Sequence, residues 1–173
     1  MSVVSIADVR DWLGIPAAQT TDADVQMLID QAEGMISDRV GPLAPTAITY
    51  AATVVSGRIP LPHARVISVT SVTSPWFAPL DPTSIVVVNG VLEMIYGVIP
   101  ASIWTVVYQA GWAAGALPPQ VYAAVLEQCR HLFMQRRGST MRPPTEPAPG
   151  TYHGMPWRVE EMLQPYALTG GFA

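Results

Sequence analysis

Apolar residues recur at helical spacing at both ends of this chain and at strand-like spacing in between. Ser5-Ile6-Ala7-Asp8 offers an N-cap hydroxyl and an acid three residues later, a capping-box-like helix start. Ile6, Val9 and Leu13 follow at helical spacing, and Gly14-Ile15-Pro16 ends the element. Thr21-Asp22-Ala23-Asp24 repeats the start signal, with both acids at the positive helix end. Val25, Leu28, Ile29, Ala32, Ile36 and Val40 then trace one apolar stripe, closed by Gly41-Pro42. Two packed helices of this kind make a scaffold rather than a site.

From Thr46 to Gly111 the spacing shortens to that of strands. Ile48, Tyr50, Val54, Ile59 and Leu61 mark one strand-rich stretch, and Val66, Val69 and Val72 another. Ile85 to Val88 and Val91 to Tyr96 flank Asn89-Gly90, a hairpin turn signal, and Ile103 to Tyr108 completes the set. Pro60, Pro62, Pro75, Pro79, Pro82 and Pro100 fall between or at the ends of these runs, because proline cannot donate to a ladder. The pattern predicts four to six antiparallel strands forming a small sheet or partial barrel. Trp76-Phe77, in a proline-flanked loop, either caps this core or makes a subunit contact.

Pro119 opens the main helix, whose buried stripe is Val121, Ala124, Val125, Cys129, Leu132 and Phe133. Gly138 is expected to end it, with Arg136 and Arg137 in the last turn, where cations are favoured. A Pro/Gly-rich segment follows, and Pro156 starts a short terminal helix with Val159, Met162 and Leu163 on one face. The expected organisation is a helical pair (1–41), a β-rich insert (42–111), a long core helix (112–137), a loop (138–155) and a short helix with tail (156–173). The fold class is α+β: a helical core from both chain ends, with the antiparallel lobe inserted.

Composition adds one strong constraint. Charged residues make up 13% of the chain, against about 25% in ordinary soluble domains. So few charges imply a membrane or extensive subunit interfaces. The longest apolar run, 91–108, contains Glu93, Gly97 and Pro100 and reads as strands, so the membrane reading fails. Asp8 and Asp11 interrupt any signal-peptide pattern. Cys129 is the only cysteine and falls on the apolar side of its helix, as a buried structural residue would. A net charge of −4 argues against a dedicated nucleic-acid binder.

Catalytic signals are lacking. Lysine is absent, which removes P-loop and Schiff-base chemistry. Neither Gly-x-Gly-x-x-Gly nor Gly-x-Ser-x-Gly occurs. His63, His131 and His153 lack paired-ligand spacing, and Glu160-Glu161 reads as a helix-start preference. The sequence therefore predicts no enzyme, no cofactor and no metal. One cluster stands out: Arg130, His131, Arg136, Arg137 and Arg142 lie in a stretch free of acids. It is a solvated helix end, an arginine contact to an acidic partner surface, or a contact to DNA phosphates.

The last third orders several weak motifs: Tyr108-Gln109-Ala110-Gly111-Trp112, Leu117-Pro118, the long helix, Arg137-Gly138, the loop, and Pro156-x-x-Val159-x-x-x-Leu163-x-Pro165-Tyr166. With the opening helical pair, this order resembles the head–tail connector (adaptor) proteins of long-tailed double-stranded DNA bacteriophages. The resemblance covers both ends of the chain and the middle only loosely. It implies a structural virion protein at the neck, assembled in the host bacterial cytoplasm. There it would form a homo-oligomeric ring, usually of twelve subunits, that docks on the portal protein and extends the DNA channel. DNA would pass without specific binding, and the ring would offer a platform to the stopper and tail. A stopper or tail terminator is the alternative, and a cytoplasmic binding module or enzyme a more distant one. The family docks on the portal through its C-terminal region. That carries over to Tyr152, Trp157, Arg158, Met162, Leu163 and Tyr166, joined by Arg136, Arg137 and Arg142 as contacts to the portal or an adjacent subunit. The departure from compact family members is the large β-rich insert.

Overall fold

The computed structural model describes residues 2–16, 19–140 and 154–167. The fold is α+β, with two compact units: a helical one from Met1–Val40 and Pro118–Ala167, and a β unit from Gly41–Leu117.

The helical unit begins with α1 (Ile6–Leu13), closed at its start by the expected reciprocal cap. The Ser5 hydroxyl accepts from the Asp8 N–H, and the Asp8 carboxylate accepts from the Ser5 N–H. Gly14 ends α1 in the left-handed region, its N–H donating to the Arg10 and Asp11 carbonyls. In α2 (Asp22–Val40) all six stripe residues are buried, and the Thr21 hydroxyl accepts from the Asp24 N–H at 3.2 Å. The Glu33 carboxylate pins the chain start to this helix, accepting from the Ser2 hydroxyl at 2.6 Å and the Val3 N–H at 2.8 Å.

Helix α3 (Pro119–Thr140) packs on α1, α2 and α4 (Trp157–Leu163). Of its expected stripe, Val121, Ala124, Val125, Cys129 and Leu132 are buried and Phe133 is half-buried. Gly138 does not end α3, which continues to Thr140. A glycine inside a helix costs only about 0.5–1 kcal/mol relative to alanine, too little to terminate it without a competing cap. In the terminal helix the expected face, Val159, Met162 and Leu163, is turned inward. Val159 and Leu163 are buried, with Met155, but Trp157 is 74% exposed. Two residues are about 200° of helical rotation, so Trp157 lies opposite Val159. The terminal helix is thus seated on α3 of its own chain.

The β unit contains two three-stranded antiparallel sheets rather than one sheet or a partial barrel. The first orders β1 (Thr46–Thr53), β6 (Ile103–Ala110) and β3 (Val66–Thr73), with the last strand in the centre. The second orders β2 (Ile59–Pro60), β5 (Val91–Met94) and β4 (Ile85–Val88), with the hairpin turning at Asn89-Gly90. One core joins the sheets: Trp104, Val106 and Tyr108 of β6 meet Ala52, Ile59, Val72, Ile85, Leu92 and Ile99. Strand β6 alternates cleanly, its even-numbered residues Trp104 to Ala110 all buried and its odd-numbered ones half-buried or exposed. Strand β5 stops at Met94, so Ile95 and Tyr96 leave the expected run and are exposed.

Candidate interaction surfaces

In the helical unit, the sequence-singled residues separate into supports and exposed groups. Leu163 is buried and Met162 half-buried, so they hold α4 in place. Tyr166 donates its phenolic O–H to Gln120 Oε1 at 2.6 Å, tying the turn after α4 to the start of α3. Trp157 and Arg158 are exposed beside this anchored framework. An exposed ion pair between Arg39 and Glu160, 3.5 Å apart, adds a weak tether to α2. Tyr152, Arg142 and the Arg137 side chain lie outside the described residues. Within the arginine cluster, Arg130 faces Glu127 at 3.8 Å, and Arg136 Nη2 lies 3.3 Å from Met27 Sδ. His131 Nε2 lies 2.8 Å from Gln135 Nε2. Arg136 therefore sits beside exposed Met27.

In the β unit, Trp76 and Phe77 part company. Phe77 stacks on buried Trp104, ring centroids 6.0 Å apart at 11°, and so caps the core. Trp76 points outward, its N–H held by the Ser74 hydroxyl at 3.3 Å. Val55, Ile95, Tyr96, Val98 and Ile103 are exposed as well; periodicity marks Ile95, Tyr96 and Ile103 as strand residues and is silent on Val55 and Val98. Their signal is the absence of any charged residue from the loops 53–57, 74–80 and 95–103.

The titratable groups that the fold perturbs serve structural contacts. Hydrogen bonds from the Ser5 hydroxyl first, then from Tyr122 and the Ser5 backbone, hold the Asp8 carboxyl below its usual range. Tyr122 is pushed up by burial and by Asp8. His63 Nδ1 lies 2.9 Å from the Tyr108 hydroxyl; burial lowers the imidazole and raises the phenol to about 12. Burial first, and then the Glu33 charge, pushes the Cys129 thiol up to about 12, which makes it a poor nucleophile. Among the described residues, no group of three or more His, Cys, Asp or Glu side chains could hold a metal ion. No helix among them is long and apolar enough to cross a membrane.

No family model and no curated protein matches this sequence. Solved structures do share its fold. A chain in the neck of an empty gene transfer agent particle, computed with C6 symmetry, superposes with a TM-score of 0.68 at 18% identity, over 96% of this chain and 93% of that one. A chain in the virion of a native gene transfer agent particle gives the same values. A chain in the neck of a native particle, computed with C12 symmetry, gives 0.63 at 18% identity, over 94% and 93%. At this identity the likeness is one of fold, and it spans the β unit as well as the helices.

Proposed function

We propose that this chain is a structural, non-catalytic subunit of the head–tail neck of a DNA-carrying particle. It assembles as a ring that docks on the portal, extends the DNA channel and receives the stopper and tail. The observation that carries this reading is the fold shared with a gene transfer agent neck chain over 96% of the sequence. That extent includes the β insert, the part which the resemblance to compact connector proteins covered only loosely. The sparse surface charge supports it: subunits of a closed ring bury two different faces, and such burial is cheapest where there is little charge to desolvate.

Within this reading, exposed Trp157 and Arg158 are the portal anchors, since an aromatic and a guanidinium are the residue types that dominate interface energies. Arg136, Arg137 and Arg142, with Tyr152, extend the contact, while Met162, Leu163 and Tyr166 fix the helix that presents it. The net negative subunit suits a channel that repels DNA rather than gripping it. Negative-stain microscopy of the protein mixed with its portal tests the proposal. Rings with an open centre, stacked on the portal, are expected; unbound subunits beside bare portals would refute it.

A further inference from the structure

Charge is distributed very unevenly along this chain. Of its nine basic and thirteen acidic residues, the β unit holds only Arg58, Arg65, Asp81 and Glu93. Each is already engaged within the unit. Arg58 pairs with Glu93 at 3.2 Å, Arg65 lies 4.4 Å over the Trp112 ring, and Asp81 accepts from the Thr83 N–H at 2.9 Å. The unit thus has no net charge.

Two neutral surfaces result. The first is the loop end, where β1 and β3 finish and β6 begins. Thr53 pairs with Ile103, Ser74 Oγ lies 3.2 Å from Ser102 Oγ, and the Ile99 N–H donates to the Gly57 carbonyl at 3.2 Å. These contacts gather three loops, and on them Trp76 is 79% exposed, Tyr96 86% and Val98 72%, beside exposed Val55, Ile95 and Ile103. With aromatic side chains at roughly 150–250 Å² each, this cap reaches the order of several hundred Å², comparable to the ~800 Å² per partner of a standard interface. The second surface is the outer face of the β1–β6–β3 sheet, where Thr49, Ala51, Thr53, Thr105 and Thr73 stand among strands with no charged residue at all.

We infer that the loop end of one β unit seats against the outer sheet face of a second copy of this chain, making a head-to-tail contact between neighbours. This rests on the ring reading and assigns its subunit interface. A cyclic ring needs two different, mutually compatible patches on every subunit. Charge complementarity, one means by which an unlike partner is selected, can be supplied by neither patch. A second copy brings the same neutral surface, so neither side desolvates an unpaired charge.

Three proteins test it by native mass spectrometry, alone and with the portal: wild type, a loop-end variant (Trp76→Asp with Tyr96→Asp) and a sheet-face variant (Thr49→Asp with Ala51→Asp). All four side chains are exposed, so circular dichroism and unfolding midpoints should match wild type. Each variant alone should lose rings, because burying an unpaired carboxylate weakens association at least about tenfold. Mixed one to one, they should form a heterodimer, since one retains the sheet face and the other the loop end. Wild-type rings accompanied by rings from either variant, or a mixture that stays monomeric, would overturn the inference and leave the ring reading standing. No wild-type ring under either condition would instead defeat the ring reading itself. Flotation of wild type, but not of the loop-end variant, with neutral phosphatidylcholine vesicles would overturn the second-copy assignment in favour of a lipid surface.

Discussion

Replacing Gly111 by alanine separates the cost of backbone conformation from the cost of a clash. Gly111 follows β6 with φ of +116°, and a Cβ placed there would lie 2.4 Å from the Ala44 carbonyl oxygen and 2.8 Å from that of Pro42. Gly97, in the same β unit, has a comparable φ of +100° and nothing within 4 Å of its Cβ position. Both substitutions incur conformational strain of about 1–3 kcal/mol, offset by about 0.4–1 kcal/mol of reduced unfolded-state entropy. These contributions largely cancel in the difference between the two variants. What remains at Gly111 is overpacking against two backbone oxygens, which cannot move as a side-chain tip can, worth about 1–3 kcal/mol or more. Urea unfolding followed by tryptophan fluorescence reads the difference, with Trp104 and Trp112 as reporters in this unit. Gly111→Ala should be the less stable variant by at least about 1 kcal/mol. Equal destabilisation of the two would refute the close approach of the loop to residues 42–44.

Ser5→Ala should remove the N-terminal capping box of α1 and lower stability by about 0.5–2 kcal/mol in a thermal or urea melt. Cys129, with its thiol raised to about 12 from 9.0, should resist iodoacetamide at mildly alkaline pH until the protein is unfolded. Its folded-state value lies above its unfolded one, so its contribution to stability is present below about pH 9 and is lost as pH rises toward 12. Trp157→Ala with Arg158→Ala should change stability by no more than about 0.5 kcal/mol, both side chains being exposed, yet abolish portal docking in a co-sedimentation assay. Deleting residues 150–173 should instead destabilise the fold, because it takes Met155, Val159 and Leu163 out of the core.

The sequence made local structure legible wherever one face of an element had to be apolar. All six stripe residues of α2 are buried, and the capping residues Ser5, Asp8 and Gly14 do what their chemistry implies. Tertiary pairing was less visible. That β1 and β3 flank β6 while β2 and β4 flank β5 is a non-local choice, on which strand periodicity is silent. Gly138 misled because glycine is tolerated within a long helix whose packing outweighs its propensity cost. Trp157, expected at a partner contact, is exposed, while Val159 and Leu163 fill the buried face of its helix. Of the neutral loop end only Trp76 stood out in the sequence, since exposure depends on where strands stop: Tyr96 looks like strand until β5 ends at Met94. What the sequence did register was the overall poverty of charge; its concentration in the β unit emerges once the unit's boundaries are known.

Cryo-electron microscopy of the intact neck, from a particle whose genome encodes this chain, tests the central claim most directly. The account predicts a ring of copies of this fold beneath the portal, around an open channel, with the helical and β units both occupying density. A neck whose density is fully explained by other chains, with this one absent from the purified particle, would contradict it.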